Sequence, residues 1–194
     1  MSVELMCWAE TEQPISRDRA RARYLTAREN GPGGGSGLGA FAKEFPGHAA
    51  EYPGAVLVTM EPEEMDEVSN RVFAAAAAYG LVCYDPQRDL VHNRVPVGVY
   101  PEMQLHTGDG MIVVNPDLGL VRDFLGTLSP GNPFAALVVF GQHFIQVSPG
   151  YELEYKEGFM RRAVVEDLEE VRRAFAEYAR GERGFLERHD WARV

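Results

Sequence analysis

The feature that most restricts the fold is a strict alternation of apolar and charged residues over residues 151–156, Tyr-Glu-Leu-Glu-Tyr-Lys. Successive side chains on a strand point to opposite faces, so Tyr151, Leu153 and Tyr155 are predicted to face a core. Their charged neighbours are predicted to face water. A strand with one buried and one solvent-exposed face indicates an antiparallel sheet.

Further strands are predicted on both sides of this one. The apolar run 134–140 predicts a strand buried on both faces, and residues 143–147 and 159–165 predict two more. Turn residues separate these segments, at Gly141-Gln142, Ser148-Pro149-Gly150 and Glu157-Gly158. Together the segments predict a meander of antiparallel strands.

An amphipathic helix is predicted to close this meander. Asp167 is a suitable N-cap, and Gly181 is a suitable residue to follow the C-terminus of the helix. The tail that follows, with Trp191, is expected to pack back on the domain. The apolar residues of the helix recur at helical spacing and are Leu168, Val171, Phe175 and Tyr178.

The first half of the chain predicts alternating strands and helices. The predicted strands are 3–8, 55–60 and 81–84, and the predicted helices run from Arg17 to about residue 30 and from Pro62 to about residue 79. The order strand, helix, strand over residues 55–84 indicates a βαβ unit or a split version of one.

The patterns as a whole predict an α+β fold with mostly antiparallel sheets and helices packed on one face. Residues 91–100 are ambiguous, residues 103–114 predict a hairpin, and residues 116–128 predict a helix. The chain is expected to divide into two α+β halves, 1–92 and 108–194. Whether the halves share one sheet is left open.

A glycine-rich segment, residues 31–39, interrupts the first half. Its density of glycine makes ordering entropically costly, so a flexible linker or mobile loop that folding does not require is predicted. Gly35, Gly37 and Ala40 have the spacing of a dinucleotide-binding fingerprint. That motif requires a strand before it, whereas a basic helix is predicted here, and no cofactor is therefore predicted.

The formal net charge of −10 limits the class of partner. It argues against a nucleic-acid backbone or an anionic membrane and is compatible with a basic protein partner. No apolar run approaches the roughly 20 residues of a membrane helix, and no signal peptide is apparent. Cys7 and Cys83 fall in predicted strands, where the reduced thiols of a cytoplasmic protein are expected.

The sequence contains no phosphate-binding loop, no His-Glu-x-x-His and no Cys-x-x-Cys motif. A metal ion could be held by His92, His106 and Asp109, but structural roles are favoured for the histidines. Whether His92, His106 and His143 converge on a site is left open. Cys83 could act as a nucleophile only if it were exposed with a lowered pKa, and its apolar strand argues against this.

The strongest surface feature is a run of acidic residues at the start of the helix predicted from Pro62. It consists of Glu61, Glu63, Glu64, Asp66 and Glu67. One interpretation is a solvated helix N-terminus with favourable charges. The other is an acidic docking patch that speeds the capture of a cationic partner. The later helix begins in the same manner with Glu166, Asp167, Glu169 and Glu170.

Two parts of the chain resemble known groups of proteins. Residues 79–87, which follow an Ala-rich stretch, resemble a segment of a large group of uncharacterised bacterial proteins. The second half is similar to immunity proteins of bacterial polymorphic toxin systems. The resemblance implies a toxin-neutralising binder and transfers no catalytic residue. The residues that carry this second resemblance are 144–147, 151–158, a helix with Phe175 and Tyr178, and Trp191.

Two hypotheses about function follow. The first is a non-enzymatic binding protein, an immunity-type inhibitor that blocks a bacterial toxin. The second is a small cytoplasmic enzyme or ligand-binding protein with a pocket between the two halves. An exposed acidic or aromatic patch would favour the first hypothesis, whereas a cleft that gathers histidines or carboxylates would favour the second.

Overall fold

The computed structural model describes residues 1–95, 99–140 and 142–194. Residue 141, in a predicted turn, and residues 96–98, in the ambiguous segment, lie outside this description. The chain forms two compact units, Met1–Val95 and Pro96–Val194. The helices and two mostly antiparallel sheets confirm the predicted α+β class.

The first unit has a five-stranded sheet over its described residues. The strands are β1 (Val3–Trp8), β2 (Ala49–Tyr52), β3 (Ala55–Met60), β4 (Val82–Asp85) and β5 (Leu90–His92), in the spatial order β2-β3-β1-β4-β5. The helices are α1 (Arg17–Asn30), α2 (Gly39–Ala42) and α3 (Met65–Ala78), and a 3-10 turn, Pro62–Glu64, precedes α3. Because β1 lies between β3 and β4, the predicted strand–helix–strand segment is a split βαβ unit.

Helices cover both faces of this first sheet. On one face Met6 and Trp8 belong to a buried cluster that also contains Ala20 of α1. On the other face the ring of Phe73, from α3, stacks on the ring of His92 at a centroid distance of 4.2 Å. The predicted arrangement of helices on one face therefore does not hold for this unit. The reason is that the central strands of this sheet are apolar on both faces, so each face must be buried by a helix.

The second unit has a seven-stranded antiparallel sheet over its described residues. The strands are β6 (Gln104–Thr107), β7 (Ile112–Val114), β8 (Ala135–Val139), β9 (His143–Ser148), β10 (Glu152–Glu157), β11 (Phe159–Val164) and β12 (Ala192–Arg193), in the order β12-β11-β10-β9-β8-β6-β7. The helices are α4 (Leu118–Leu125), α5 (Leu168–Ala179) and α6 (Phe185–Arg188). The predicted hairpin, meander and two long helices are all confirmed.

One face of the second sheet carries the core. Leu153 and Tyr155 are buried as predicted, and α5 packs over β9 with Phe175 fully buried. The opposite face is partly exposed and carries polar residues such as Gln146 and Glu154. In this unit the helices α4 and α5 pack against each other, and α5 lies on the core face.

Two residues predicted to be buried are exposed. Tyr151 is 37% exposed because it lies in the turn before β10, with a φ of 55°, rather than on the strand. Phe140 is 68% exposed because it follows the last residue of β8. Both residues lie just outside a strand. The sequence pattern includes them in the strand, but side chains alternate between the two faces only within the strand itself.

The glycine-rich segment is held in place by Glu51 of β2, which corrects the interpretation as a flexible linker. The N–H of Gly33 donates to the carbonyl of Glu51 at 2.9 Å. The Ser36 N–H and hydroxyl donate to the Glu51 carboxylate at 3.0 and 2.6 Å. These bonds lower the pKa of Glu51, with the Ser36 hydroxyl as the largest cause. As expected, a helix and not a strand precedes the segment.

We expect Glu51→Ala to release this segment without unfolding the protein. The carboxylate accepts from both donor groups of Ser36, and a hydrogen bond to a charged acceptor is among the stronger kinds. Hydrogen exchange of the Ser36 and Leu38 amides should become roughly tenfold faster at neutral pH. Glu29→Ala removes the same charge from the exposed surface of α1 and should leave both rates unchanged. Equal rates in wild type and Glu51→Ala would contradict the anchoring role.

Candidate functional site

The five acidic residues that the sequence singled out lie together on the surface of the first unit. Glu61 precedes the 3-10 turn, Glu63 and Glu64 lie in it, and Asp66 and Glu67 form the first turn of α3. All five are exposed. We call this set the acidic patch. Buried residues on the inner side of α3 fix the helix to the sheet, so the patch rests on a rigid support; they are Val68, Val72, Phe73 and Ala76.

Local structure explains why the chain begins a helix here. Pro62 occupies the first turn, where its missing N–H costs nothing. The backbone N–H of Glu61 donates to the Glu64 carboxylate at 3.2 Å. Glu64 therefore stabilises the turn, whereas the side chains of Glu63, Asp66 and Glu67 form no such bond among the described residues. Negative charges at this end also interact favourably with the helix dipole.

No basic side chain neutralises the acidic patch among the described residues. None of its five carboxylates forms an ion pair with a lysine, arginine or histidine. The second acidic run behaves differently. Glu169 pairs with Arg172 at 2.7 Å and with Arg122 at 3.3 Å, and Glu170 lies 3.5 Å from Arg188. Arg172 belongs to α5 itself, one turn after Glu169, whereas Arg122 and Arg188 come from α4 and α6. Sequence alone could not show these last two contacts.

Of the three histidines that the sequence singled out, the two in the second unit, His106 and His143, lie on opposite faces of its sheet. His106 lies on the partly exposed face of the sheet, opposite Ala136 in the ladder, whereas His143 shares the face of the buried Ile145. His92 belongs to the first unit and is fully buried. Over the described part of the chain, no group of three or more His, Cys, Asp or Glu is arranged to hold a metal ion.

Cys83 is not placed to act as a nucleophile. It is fully buried on β4, directly opposite Cys7 of β1. Burial raises the pKa of the Cys83 thiol well above its usual value, and a hydrogen bond with Cys7 raises it further. A thiol with a raised pKa and no solvent access carries almost no reactive thiolate. Both cysteines are free in the described structure.

A cleft of about 470 Å³ lies between α4 and α5 in the second unit. Its walls include Arg122, Arg172 and Arg173 together with Glu169 and Glu177. These groups pair with one another; the Arg173–Glu177 contact, for example, is 3.3 Å. The volume suits a small ligand. The five charged side chains named above are already paired, whereas two further lining residues, Arg180 and Glu182, form no ion pair among the described residues.

Sequence reasoning missed a cluster of tyrosines around Arg183. Its guanidinium donates to the hydroxyls of Tyr100 at 2.7 Å and Tyr155 at 3.2 Å, and its central carbon lies 4.8 Å from the ring centroid of Tyr178. Glu157 accepts a further bond from the arginine at 3.3 Å. Because these groups satisfy one another, the cluster stabilises the packing of the tail. No local spacing indicated it, since its members are far apart in the sequence.

Comparison with known protein families, with curated proteins and with solved structures finds no match to this chain. The resemblance to immunity proteins therefore rests on residue patterns alone and stays a hypothesis. Among the described residues, no helix is both long enough and apolar enough to cross a membrane.

Proposed function

We propose that this protein is a non-enzymatic binding protein of the immunity type, which inhibits a toxin by docking the toxin's basic surface on the acidic patch. The observation that carries the proposal is that the five exposed carboxylates of the patch have no neutralising partner among the described residues. Elsewhere in the same unit, the exposed Asp18 pairs with Arg21 at 3.3 Å.

Electrostatics explains what such a patch contributes. Like charges at one helix end create a local negative potential, which accelerates encounter with a cationic surface and is weakened by salt. The patch costs little in stability, since its charges favour the helix N-terminus. A helix also presents the carboxylates on a backbone that is already ordered, which avoids the cost of ordering a loop on binding.

Charge reversal on the patch should slow association with the partner. We expect Glu63→Lys combined with Glu67→Lys to reduce the association rate constant by roughly tenfold at low salt, because both side chains are exposed members of the patch. Glu64 is left intact because it accepts from the Glu61 N–H. The measurement is surface plasmon resonance at two salt concentrations, with the product of the neighbouring gene as the partner.

The control is a charge reversal of the same size elsewhere in the first unit. Glu12→Lys combined with Glu29→Lys changes the net charge equally, and both residues are exposed and outside the patch. This variant should keep most of the wild-type association rate. Equal slowing by the two double variants would mean that net charge, and not the patch, governs association. Binding that is independent of salt and of both variants would exclude the patch as the docking surface.

A further inference from the structure

Two arginines and a phenylalanine form an unusual group at one edge of the second sheet. Arg161 of β11 is directly opposite Arg193 of β12 in the ladder. The central guanidinium carbon of each arginine lies 4.5 Å from the ring centroid of Phe159. Phe159 is 38% exposed, so the group is accessible from solvent.

The pairing of these arginines is electrostatically unfavourable by itself. Like charges directly opposite each other on neighbouring strands destabilise a sheet. Among the described residues, no carboxylate, including that of Val194, lies within 4.0 Å of either guanidinium. The adjacent Arg162, on the opposite face of β11, shows the usual arrangement, with Glu154 at 2.7 Å. In a chain with a net charge of −10, an uncompensated arginine pair is unexpected.

The nearest acid in the ladder is engaged elsewhere. Glu157 is directly opposite Phe159. Its carboxylate, however, accepts from the hydroxyl of Tyr155 and from Arg183. The negative charge of Glu157 is therefore directed toward the tyrosine cluster, and within the described parts of the chain the arginine pair has no counter-ion.

The geometry points to a binding site for a phosphate dianion, free or as a monoester, held by Arg161 and Arg193 on Phe159. A cation–π contact with the ring does not use up the five N–H donors of a guanidinium, so donors remain for hydrogen bonds to a ligand. Those donors match phosphate oxygens, and two single positive charges balance one dianion. The site lies in the other unit from the acidic patch and is independent of the proposed docking of a basic partner.

The test is a titration of the folded protein with inorganic phosphate at pH 8, at constant ionic strength, followed by NMR of the arginine side-chain N–H groups and the Phe159 ring. We expect saturable shifts at Arg161, Arg193 and Phe159. Arg161→Gln should weaken binding roughly tenfold or more, because it removes charge-assisted hydrogen bonds. Arg193→Gln, on a strand of two residues, should weaken binding similarly with little effect on folding. Arg162→Gln is the control and should bind phosphate like the wild type.

Three results would overturn the assignment. One is the absence of saturation with phosphate, and another is equal weakening by Arg162→Gln, which would indicate screening of general surface charge. The third is equally tight binding of acetate, which would show that the site does not select a dianion. Phenyl phosphate distinguishes the two sources of the group: tighter binding than that of inorganic phosphate indicates a monoester, and weaker binding indicates free phosphate.

Discussion

Replacing Phe175 by alanine should lower the free energy of unfolding of the second unit by ~3–5 kcal/mol. Phe175 lies on α5 and its side chain is fully buried. Truncation removes the transfer free energy of the ring and leaves a cavity that neighbouring residues fill only in part. Val171 and Tyr178 lie on the same side of the helix and are also buried, so they cannot move far to fill the cavity.

Tyr151→Ala is the matched comparison, since the sequence assigned both aromatic residues to the core. Tyr151 is 37% exposed in a turn, so its truncation should cost less than about 1 kcal/mol. Urea titration followed by circular dichroism and tryptophan fluorescence measures both variants. A loss below about half a kcal/mol for Phe175→Ala would show that Phe175 is not on the buried face of α5. Equal losses in the two variants would show that Tyr151 is buried rather than exposed.

The parts of the fold that follow from local chemistry could be predicted. Asp167 caps α5 by accepting from the Glu170 N–H at 3.0 Å, and Gly181 follows the helix with a φ of 80°, as the sequence indicates. Leu153 and Tyr155 are buried because the alternation of faces is a local property of a strand. Such signals act over a few residues and are visible in one sequence.

Elements that depend on pairing across the chain could not be predicted. Strands β2, β5 and β12 are short and have no clear alternation; β3, β4 and β11 supply their register. Their stability comes from the neighbouring strand, so their own residues carry little signal.

The same limit applies to the functional surfaces. The acidic patch could be predicted because its residues lie within seven positions of the sequence. That it lacks counter-ions among the described residues could be known only from the positions of the basic side chains in the fold. Arg161 and Arg193 are far apart in the sequence and meet only through the β11–β12 ladder. Charge patterns therefore identify candidate residues, whereas their partners, which decide whether a charge is free, follow from the tertiary fold.

His92 is expected to make the first unit sensitive to mild acid. The residue is fully buried, and neither ring nitrogen has a hydrogen-bond partner among the described residues. Burial lowers the pKa of His92 well below its usual 6.5, and the charges of Arg94 and Arg88 lower it further. The unfolded chain therefore binds a proton below pH 6.5 that the folded chain does not bind. By linkage, the free energy of unfolding should fall as the pH falls through 6.5.

We expect the wild-type first unit to lose about 2 kcal/mol between pH 7.5 and 5 through this one residue, at a limiting slope of about 1.4 kcal/mol per pH unit. His92→Leu should abolish that loss and should not destabilise the protein at pH 7.5, because it removes two unsatisfied ring nitrogens from the core. Urea titrations at several pH values measure both quantities. The control is His48→Gln in the same unit, where a ring nitrogen contacts the Thr59 carbonyl at 2.9 Å. This variant should keep the wild-type slope, whereas an unchanged slope in His92→Leu would show that other groups cause the acid sensitivity.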